Sequence, residues 1–292
     1  MSFIISNRQS LAPKEQIVRY KPFVADTYEV RFKHVDVAFG HPLYTTIADI
    51  ICADIDASVP AEGPVIPDGC MSILFRMGDG HTQAYFCGPI DEIKKISIRP
   101  GEKYVSLKFY PGLGGKIAGQ PAVNLVNQVI PLEQLVPWSR QATSIMERDN
   151  NLDERIRLVS RVIKVNSGIS DDRYLVKYCT DRIIQTNGGL KVEQLAEETG
   201  FTSRHIGKEF EKRVGVSPKF FSQIVRLQST MERMFHDKDS LLVDIAVDSG
   251  FFDHAHMNRM YKKLIHCSSG EFRKNYLNKL DYSDVEEYIA VG

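Results

Sequence analysis

The sequence predicts an α+β protein, in which a β-rich N-terminal domain is followed by an all-α domain with two helix-turn-helix units. Three observations predict this. Apolar residues alternate with polar ones before about residue 138, they recur at helical spacing after it, and a pattern of two short helices occurs twice. We expect a sensory or dimerisation domain over residues 1–138, a helical linker over 139–171 and the double helix-turn-helix domain over 172–292.

The composition is that of an ordinary globular protein. The 292 residues contain 37 Lys and Arg, 37 Asp and Glu, and 43% hydrophobic residues. Because the charges balance, a basic surface for nucleic acid has to be local. The five cysteines are widely spaced and form no CxxC pair, which favours reduced thiols, and no apolar run is long enough to span a bilayer.

Residues 42–135 carry the β pattern. In "CMSILFRM" the residues Met71, Ile73, Phe75 and Met77 share one face, and "GDG" separates this run from its predicted hairpin partner "TQAYFC". A second hairpin is predicted from "KKISI" to "KYVSLKFY" through the turn "RPGE". These pairs predict a small barrel or sandwich, cupin-like in form. The first forty residues are weakly patterned and predict no element.

The segment "LDERIRLVSRVIKV" predicts an amphipathic helix where the apolar residues change from alternation to helical spacing. Leu152, Ile156, Val159 and Ile163 recur at helical spacing, with charged residues on the other side. Two roles are compatible with this pattern: the helix connects the domains, or it pairs with a copy of itself.

The first helix-turn-helix unit is predicted in "KVEQLAEETGFTSRHIGKEFEKRVGVSPKFF". Leu195 points inward from a short helix that ends at Gly200, Thr202 caps the next helix, and Ile206 and Phe210 point inward from that helix.

The second unit is predicted in "LLVDIAVDSGFFDHAHMNRMYKKLIHCSSGEF", where Ile245, Gly250, Met257 and Tyr261 take the corresponding places. Between the units, "SPKFFSQIVRLQSTMERMFHD" predicts one linker helix that opens at Pro218. Such a frame places two recognition helices about 34 Å apart, in successive major grooves of DNA.

Five segments in this order carry a family resemblance: "LAEETGFTSRHIGKEF", "VGVSP", "VRLQ", "DIAVDSGF" and "GEFRK". Residues 172–276 resemble the DNA-binding domain of AraC/XylS-type transcription regulators, and "IPDGCMSILF" and "KFYPGLGG" are similar to sensory domains that precede some of them. The resemblance implies double-stranded promoter DNA as the partner, activation of transcription with contact to RNA polymerase, a homodimer, and a cytoplasmic, nucleoid-associated protein. It implies no enzymatic activity.

Base contacts are expected from the exposed side of each second helix, near its N-terminal end. The predicted DNA-binding residues are Ser203, Arg204, Gly207 and Lys208 in the first unit, and His254, Ala255, Asn258 and Arg259 in the second, with Lys262 and Lys263 near phosphates. Asn258 suits adenine and Arg259 suits guanine. Phe252 stands where a small cap is usual, so Asp253 is expected to cap the helix, and "HCSS" replaces the usual Gly-x-x-Pro turn.

The function of the N-terminal domain is open to four interpretations. A small-molecule effector is expected beside Phe75, Tyr85, Phe109 and Tyr110, near the "PDG" and "PGLGG" turns. Alternatively the domain only dimerises or binds a protein, or the thiols act as a redox sensor. An enzyme on the β domain is the fourth interpretation, but no spacing of metal ligands supports it. We expect no metal, no cofactor and no catalytic residues.

Overall fold

The structure is a computed structural model, and it describes residues 20–24, 32–37, 41, 43–54, 61–78, 80–148, 151–168, 174–274 and 289–291. Most of the first forty residues, for which no element is predicted, lie outside this described part. The described residues form a β-rich N-terminal part and a helical C-terminal part, so the predicted fold class is confirmed.

The N-terminal part is built on one large sheet and one small one. The described strands are β1 (Lys33–Val37), β2 (Ile47–Asp54), β3 (Ala61–Val65), β4 (Met71–Gly78), β5 (His81–Cys87), β6 (Lys94–Ile98), β7 (Lys103–Phe109), β8 (Val129–Pro131) and β9 (Ile289–Val291). The large sheet has the order β8-β5-β4-β7-β2-β1-β9, and its neighbouring strands are antiparallel except for the parallel pair of β1 and β9.

The alternation that predicts β4 also predicts its buried face. Met71, Ile73 and Phe75 are buried, and the alternating residues Val105, Leu107 and Phe109 of β7 are buried beside them. Strands β4 and β5 pair antiparallel from Ser72 with Cys87 to Gly78 with His81, so the first predicted hairpin is confirmed.

The second predicted hairpin is wrong. Strand β6 pairs with β3, from Ala61 opposite Ile98 to Val65 opposite Lys94, and these two strands form a separate sheet. Strand β7 instead lies between β2 and β4 in the large sheet. A short turn favours pairing of neighbours in sequence, but the two edges of β7 pair with β2 and β4, whereas β6 pairs with β3.

Three helices pack on the N-terminal part: α1 (Gly114–Ile117), α2 (Ser139–Met146) and α3 (Leu152–Ser167). The inward residues Ile156, Val159 and Ile163 of α3 are completely buried, in the same apolar core as Phe75 and Phe109. Asn151 caps the start of α3 by accepting a hydrogen bond from the Asp153 amide at 3.0 Å. The apolar stripe of α3 is therefore buried in this core, where α3 packs against α1 and α2, and it is not a free surface for a second copy.

The C-terminal part consists of α4 (Tyr174–Gln185), α5 (Val192–Thr199), α6 (Ser203–Val214), α7 (Pro218–His236), α8 (Leu242–Asp248), α9 (His254–Leu264) and α10 (Ser269–Phe272). Helices α4, α5 and α6 share one apolar core with the first half of α7, and α8 to α10 share another with its second half. Phe221 and Val225 lie in the first core and Met234 in the second. As predicted, α7 joins the two units as one continuous helix.

The two parts of the molecule contact each other at α7 and at the C-terminal ends of α6 and α9. The Gln228 amide donates to the Pro67 carbonyl and accepts from the Phe23 amide, both at 2.7 Å. Beyond the end of α6, Gly215 lies directly against Pro89 and Ala122. At the last residue of α9, the Ile93 amide donates to the Leu264 carbonyl at 2.7 Å. The sheet domain thus approaches both helices from the ends opposite to those expected to read DNA.

Candidate nucleic-acid interface

The first unit has the framework that its sequence predicts. Helix α5 ends at Gly200 in the left-handed region, and Thr202 caps α6 by accepting a hydrogen bond from the His205 amide at 3.2 Å. Ile206 and Phe210 are buried in the core of the unit. Because these two residues lie one helical turn apart, they fix which face of α6 points outward.

The outward face of α6 is basic near its N-terminal end. Arg204 and Lys208 are exposed, one turn apart, and Ser203 and Gly207 beside them are half-buried. Lys212 extends the same row by another turn and is also exposed. The prediction omitted Lys212, although its spacing of four residues from Lys208 indicates the same face. Arg204 and Lys208 thus have the exposure that a DNA contact requires.

The second unit has the same framework, with a different cap. The Asp253 carboxylate accepts a hydrogen bond from the His256 amide at 2.6 Å, so Asp253 caps α9 as predicted. Met257 and Tyr261 are completely buried, and the Tyr261 hydroxyl lies 2.8 Å from the Thr230 hydroxyl of α7. This bond ties the recognition helix to the helix that joins the two units.

The structure contradicts the prediction that His254 and Asn258 are exposed readers. The Asn258 Oδ1 accepts hydrogen bonds from the amide and the hydroxyl of Ser269, at 2.9 and 2.8 Å. The His254 Nε2 lies 3.0 Å from the same hydroxyl and 3.2 Å from the Asn258 Nδ2. Both side chains are half-buried. Asn258 therefore holds the start of α10 through Ser269.

The repeat contained a signal for this correction. The residue of α6 that corresponds to Asn258 is Gly207, which has no side chain for reading, and Ser269 follows in the "HCSS" turn that departs from the first unit. When the corresponding position of the first unit has no side chain that could contact a base, and serines follow the Asn in the next turn, the pattern indicates a local capping interaction. Sequence spacing alone, however, does not show which way the Asn258 amide points.

Three of the predicted residues remain exposed on α9, namely Ala255, Arg259 and Lys262. Lys263 is exposed as well, but its ammonium lies over the Phe220 ring of α7, 5.2 Å from the ring centroid. A cation held over an aromatic ring gains electrostatic attraction from the ring face. Lys263 thus joins α9 to α7.

His205 and His256 occupy matching positions and both pack on aromatic rings. His205 stacks on Phe201 with ring centroids 5.0 Å apart, and His256 meets Phe251 edge to face at 5.3 Å. Each histidine thus packs on an aromatic residue of the preceding turn. The rings support the turn that precedes each recognition helix.

The four predicted effector-binding residues lie in three different environments. Phe75 and Phe109 are completely buried in the core of the sheet domain. Tyr110 is buried where the two parts meet, and its hydroxyl donates to the Asp181 carboxylate of α4 at 2.9 Å. Tyr85 is half-buried on the outer side, with the Arg76 guanidinium 5.8 Å from its ring centroid. The fold does not bring these side chains together around one space.

Burial opposes reactivity of the thiols. Desolvation raises the pKa of Cys52 to about 12, of Cys87 to about 11 and of Cys179 to about 12, and it raises the pKa of Cys70 and Cys267 as well. The thiolate is the reactive form of cysteine. Because all five groups are held as neutral thiols near pH 7, this chemistry argues against a redox sensor.

Within the described ranges, no group of three or more His, Cys, Asp or Glu side chains is placed to hold a metal ion. No helix within the same ranges combines the length and apolar character that a membrane crossing requires.

Two helix-turn-helix units on one connecting helix define a DNA-binding protein of the double helix-turn-helix class. Residues 157–275 match the family model described as "Helix-turn-helix domain", and residues 40–131 match one described as "Domain of unknown function (DUF6597)". Residues 157–275 are therefore similar to the helix-turn-helix domains of AraC-type transcription regulators.

Similar curated proteins match only a part of this chain. A "Probable transcription factor PqrA" from Proteus vulgaris is 28% identical over 94 residues, which cover 32% of this chain and 75% of that protein. An "Uncharacterized HTH-type transcriptional regulator" from Staphylococcus aureus is 25% identical over 118 residues, or 40% of this chain. The matched segment spans only 16% of the staphylococcal protein's length.

Two solved structures are similar over different extents. ToxT from Vibrio cholerae O395 is 10% identical, with a TM-score of 0.42 over 86% of this chain and 99% of ToxT. The C-terminal domain of AraT, described as a response regulator from Geobacillus stearothermophilus, is 17% identical, with a TM-score of 0.35 over 39% of this chain and 95% of that domain.

Proposed function

We propose that this regulator reads promoter DNA through the exposed sides of α6 and α9, one helix per major groove. One observation carries the proposal: in both units buried apolar residues at matching positions turn a basic face outward. Lys208 of α6 and Arg259 of α9 take the same place relative to those residues, and Arg204 and Lys262 extend the two faces. Lysine and arginine neutralise DNA phosphates, and arginine also pairs with guanine edges.

In this proposal the two units differ in where their exposed basic residues lie along the recognition helix. In α6, Arg204 and Lys208 are exposed in the first two turns, where base edges come within reach. In α9, Ala255 takes the place of Arg204, so Arg259 is the first exposed basic residue of that helix. We expect the operator to consist of two unlike half-elements, about one helical turn apart, each with a guanine opposite its arginine.

The test is a genome-wide DNA pull-down with the full-length protein, followed by affinity measurements on the recovered operator at fixed salt. The double variant Arg204→Ala, Arg259→Ala is expected to bind about 100-fold more weakly, since each guanine contact contributes about 1–3 kcal/mol. Arg140→Ala, Arg161→Ala removes the same charge from exposed positions of α2 and α3 and serves as the matched control. Equal affinities of the wild type and the reading variant would refute these contacts.

We further propose that the sheet domain controls the reading helices in response to a small molecule. The sheet domain contacts both units at the ends of α6 and α9 that are opposite to the proposed reading ends. These contacts lie at Gly215, beyond α6, and at Leu264 of α9, and they support the proposal. The His266 imidazole beyond α9 also meets the Glu92 carboxylate of the sheet domain at 2.9 Å. A ligand that moves the segment 88–93 therefore acts on both helices at once. A homodimer and contact with RNA polymerase, both implied by the family, belong to the same proposal.

The ligand part has its own test. A small-molecule library is screened for compounds that raise the melting temperature of the full-length protein, and each hit is tested for its effect on operator affinity. We expect at least one hit to change both. If compounds never shift the melting temperature, the domain serves dimerisation or a protein partner.

A further inference from the structure

The two turns between the helices differ by one residue. In the first unit, Gly200 is followed by Phe201 and then by the cap Thr202, whereas in the second unit two phenylalanines separate Gly250 from the cap Asp253. The glycines have similar left-handed conformations, with φ of 71° and 76°. Up to this point the repeats are 50 residues apart, and from the caps onward they are 51 residues apart. The second turn therefore holds one extra residue.

Of the two phenylalanines, Phe251 serves the packing of the unit and Phe252 does not. Phe251 is 5% exposed and lies under the Arg226 guanidinium, 5.2 Å from the ring centroid. Phe252 is 89% exposed, more than any other large apolar side chain among the described residues. The residue just before a helix cap often packs, as a hydrophobic staple, on the residue five positions further along the chain. For Phe252 that residue is Met257. Met257 is completely buried and Phe252 is not, so this role is excluded.

The position of Phe252 places it beside the reading end of α9. It immediately precedes Asp253, and the N-terminal end of a recognition helix is the end that approaches base edges. The exposed residues in the first turn of α9 are Ala255, also apolar, and His256, whose ring meets Phe251 edge to face. His254 and Asn258 face Ser269, as described above. The reading end of α9 thus offers an apolar surface where α6 offers Arg204.

We propose that Phe252, together with Ala255, recognises the methyl groups of thymine in the half-element read by the second unit. This inference rests on the proposed function and adds a base preference to it. Thymine carries the C5 methyl group that the major groove exposes, and alanine and phenylalanine make apolar contacts with it. The second half-element therefore contains thymine on the side of the Phe252 turn and guanine opposite Arg259.

The experiment pairs a protein change with a DNA change. An operator is selected in vitro with the full-length protein, and each thymine of the second half-element is replaced in turn by deoxyuridine, which lacks only the methyl group. At one or two positions we expect the wild type to bind about fourfold more weakly, the equivalent of one buried methyl group. Phe252→Ala is expected to bind the thymine operator about fivefold more weakly and to be insensitive to the deoxyuridine replacement at those positions.

The matched control is Val247→Ala, which removes another exposed apolar side chain from the same unit and is expected to leave both affinities unchanged. Equal affinity of Phe252→Ala and the wild type, or an unchanged loss with deoxyuridine in the variant, would overturn the inference. Failure of the proposed function looks different, because then the wild type selects no operator and Arg204→Ala, Arg259→Ala has no effect.

Discussion

The recognition helices α6 and α9 lie in matching frameworks but present different chemistry. On α6, Arg204 and Lys208 are free to reach out, and the intervening Gly207 has open space around it. On α9, the corresponding polar position, Asn258, is bound to Ser269, and the reading end is apolar. The comparison teaches that a repeated framework does not imply repeated contacts, because the outward residues are free to take on local structural tasks.

The supporting helices differ in the same way. The exposed positions of α5 include Glu193 and Glu197, and the corresponding residues of α8 are Val243 and Val247, which are 52% and 59% exposed. The interior does not share this difference, since both units are closed by completely buried aromatic residues, Phe210 and Tyr261. Divergence between the units is thus concentrated on their outer faces.

The largest expected effect tests whether the two frameworks are equivalent. Phe210→Ala and Tyr261→Ala are each expected to lower the free energy of unfolding by about 3–5 kcal/mol, because each leaves a cavity in a packed core. Denaturant unfolding of the full-length protein measures both. Tyr261→Phe is the control, since it removes only the hydroxyl, which bonds to the Thr230 hydroxyl and contacts the Met234 sulfur, and should cost about 1 kcal/mol. A loss below 1 kcal/mol for Tyr261→Ala would show that the second framework is loosely packed.

A smaller effect is expected from the pair of Asn258 and Gly207. Asn258→Ala leaves the amide and hydroxyl of Ser269 without their acceptor, so we expect a loss of about 1–3 kcal/mol in stability with the base preference unchanged. Gly207→Ala adds a methyl group that meets no atom within 4 Å and should stabilise α6 by about 0.5–1 kcal/mol. Thermal unfolding and in vitro selection measure the two properties separately. A changed base preference in Asn258→Ala would make Asn258 a reader after all.

The smallest effect concerns two corresponding ion pairs. Arg182 binds both oxygens of Glu198, at 2.9 and 2.7 Å, whereas Arg233 meets Asp248 once, at 3.2 Å. Hydrogen bonds from Arg182 hold the pKa of Glu198 below its usual value. This contribution to stability is therefore present above the ordinary glutamate pKa and is lost as the pH falls through the lowered one.

We expect Glu198→Gln to cost about 0.5 kcal/mol at neutral pH and to make stability less dependent on pH in the acidic range. Asp248→Asn, at the corresponding position of the second unit, is the control and should cost less, because its single contact is more exposed. Urea unfolding between neutral pH and the acidic range provides the measurement. An identical pH dependence in the wild type and Glu198→Gln would contradict the assignment.

Much of this molecule follows from its sequence, because local rules determine it. Caps, inward residues and helix ends of the double helix-turn-helix follow from spacing and residue type, as Thr202, Gly200 and Phe210 illustrate. The alternation in β4 predicts both its hairpin and its buried face. These features depend on neighbours within a few residues, and the chain itself specifies those neighbours.

Only the tertiary structure showed where β6 pairs, what covers α3, what Asn258 and Lys263 contact, and that Phe252 is exposed. Each of these depends on a partner that is distant in sequence or on the direction of one side chain. Strand β6 pairs with β3, α3 is buried against α1 and α2, and Lys263 lies over Phe220 of another helix. Periodicity specifies which face of an element is apolar, but it does not specify which surface buries that face or which polar atom satisfies a side chain at its edge.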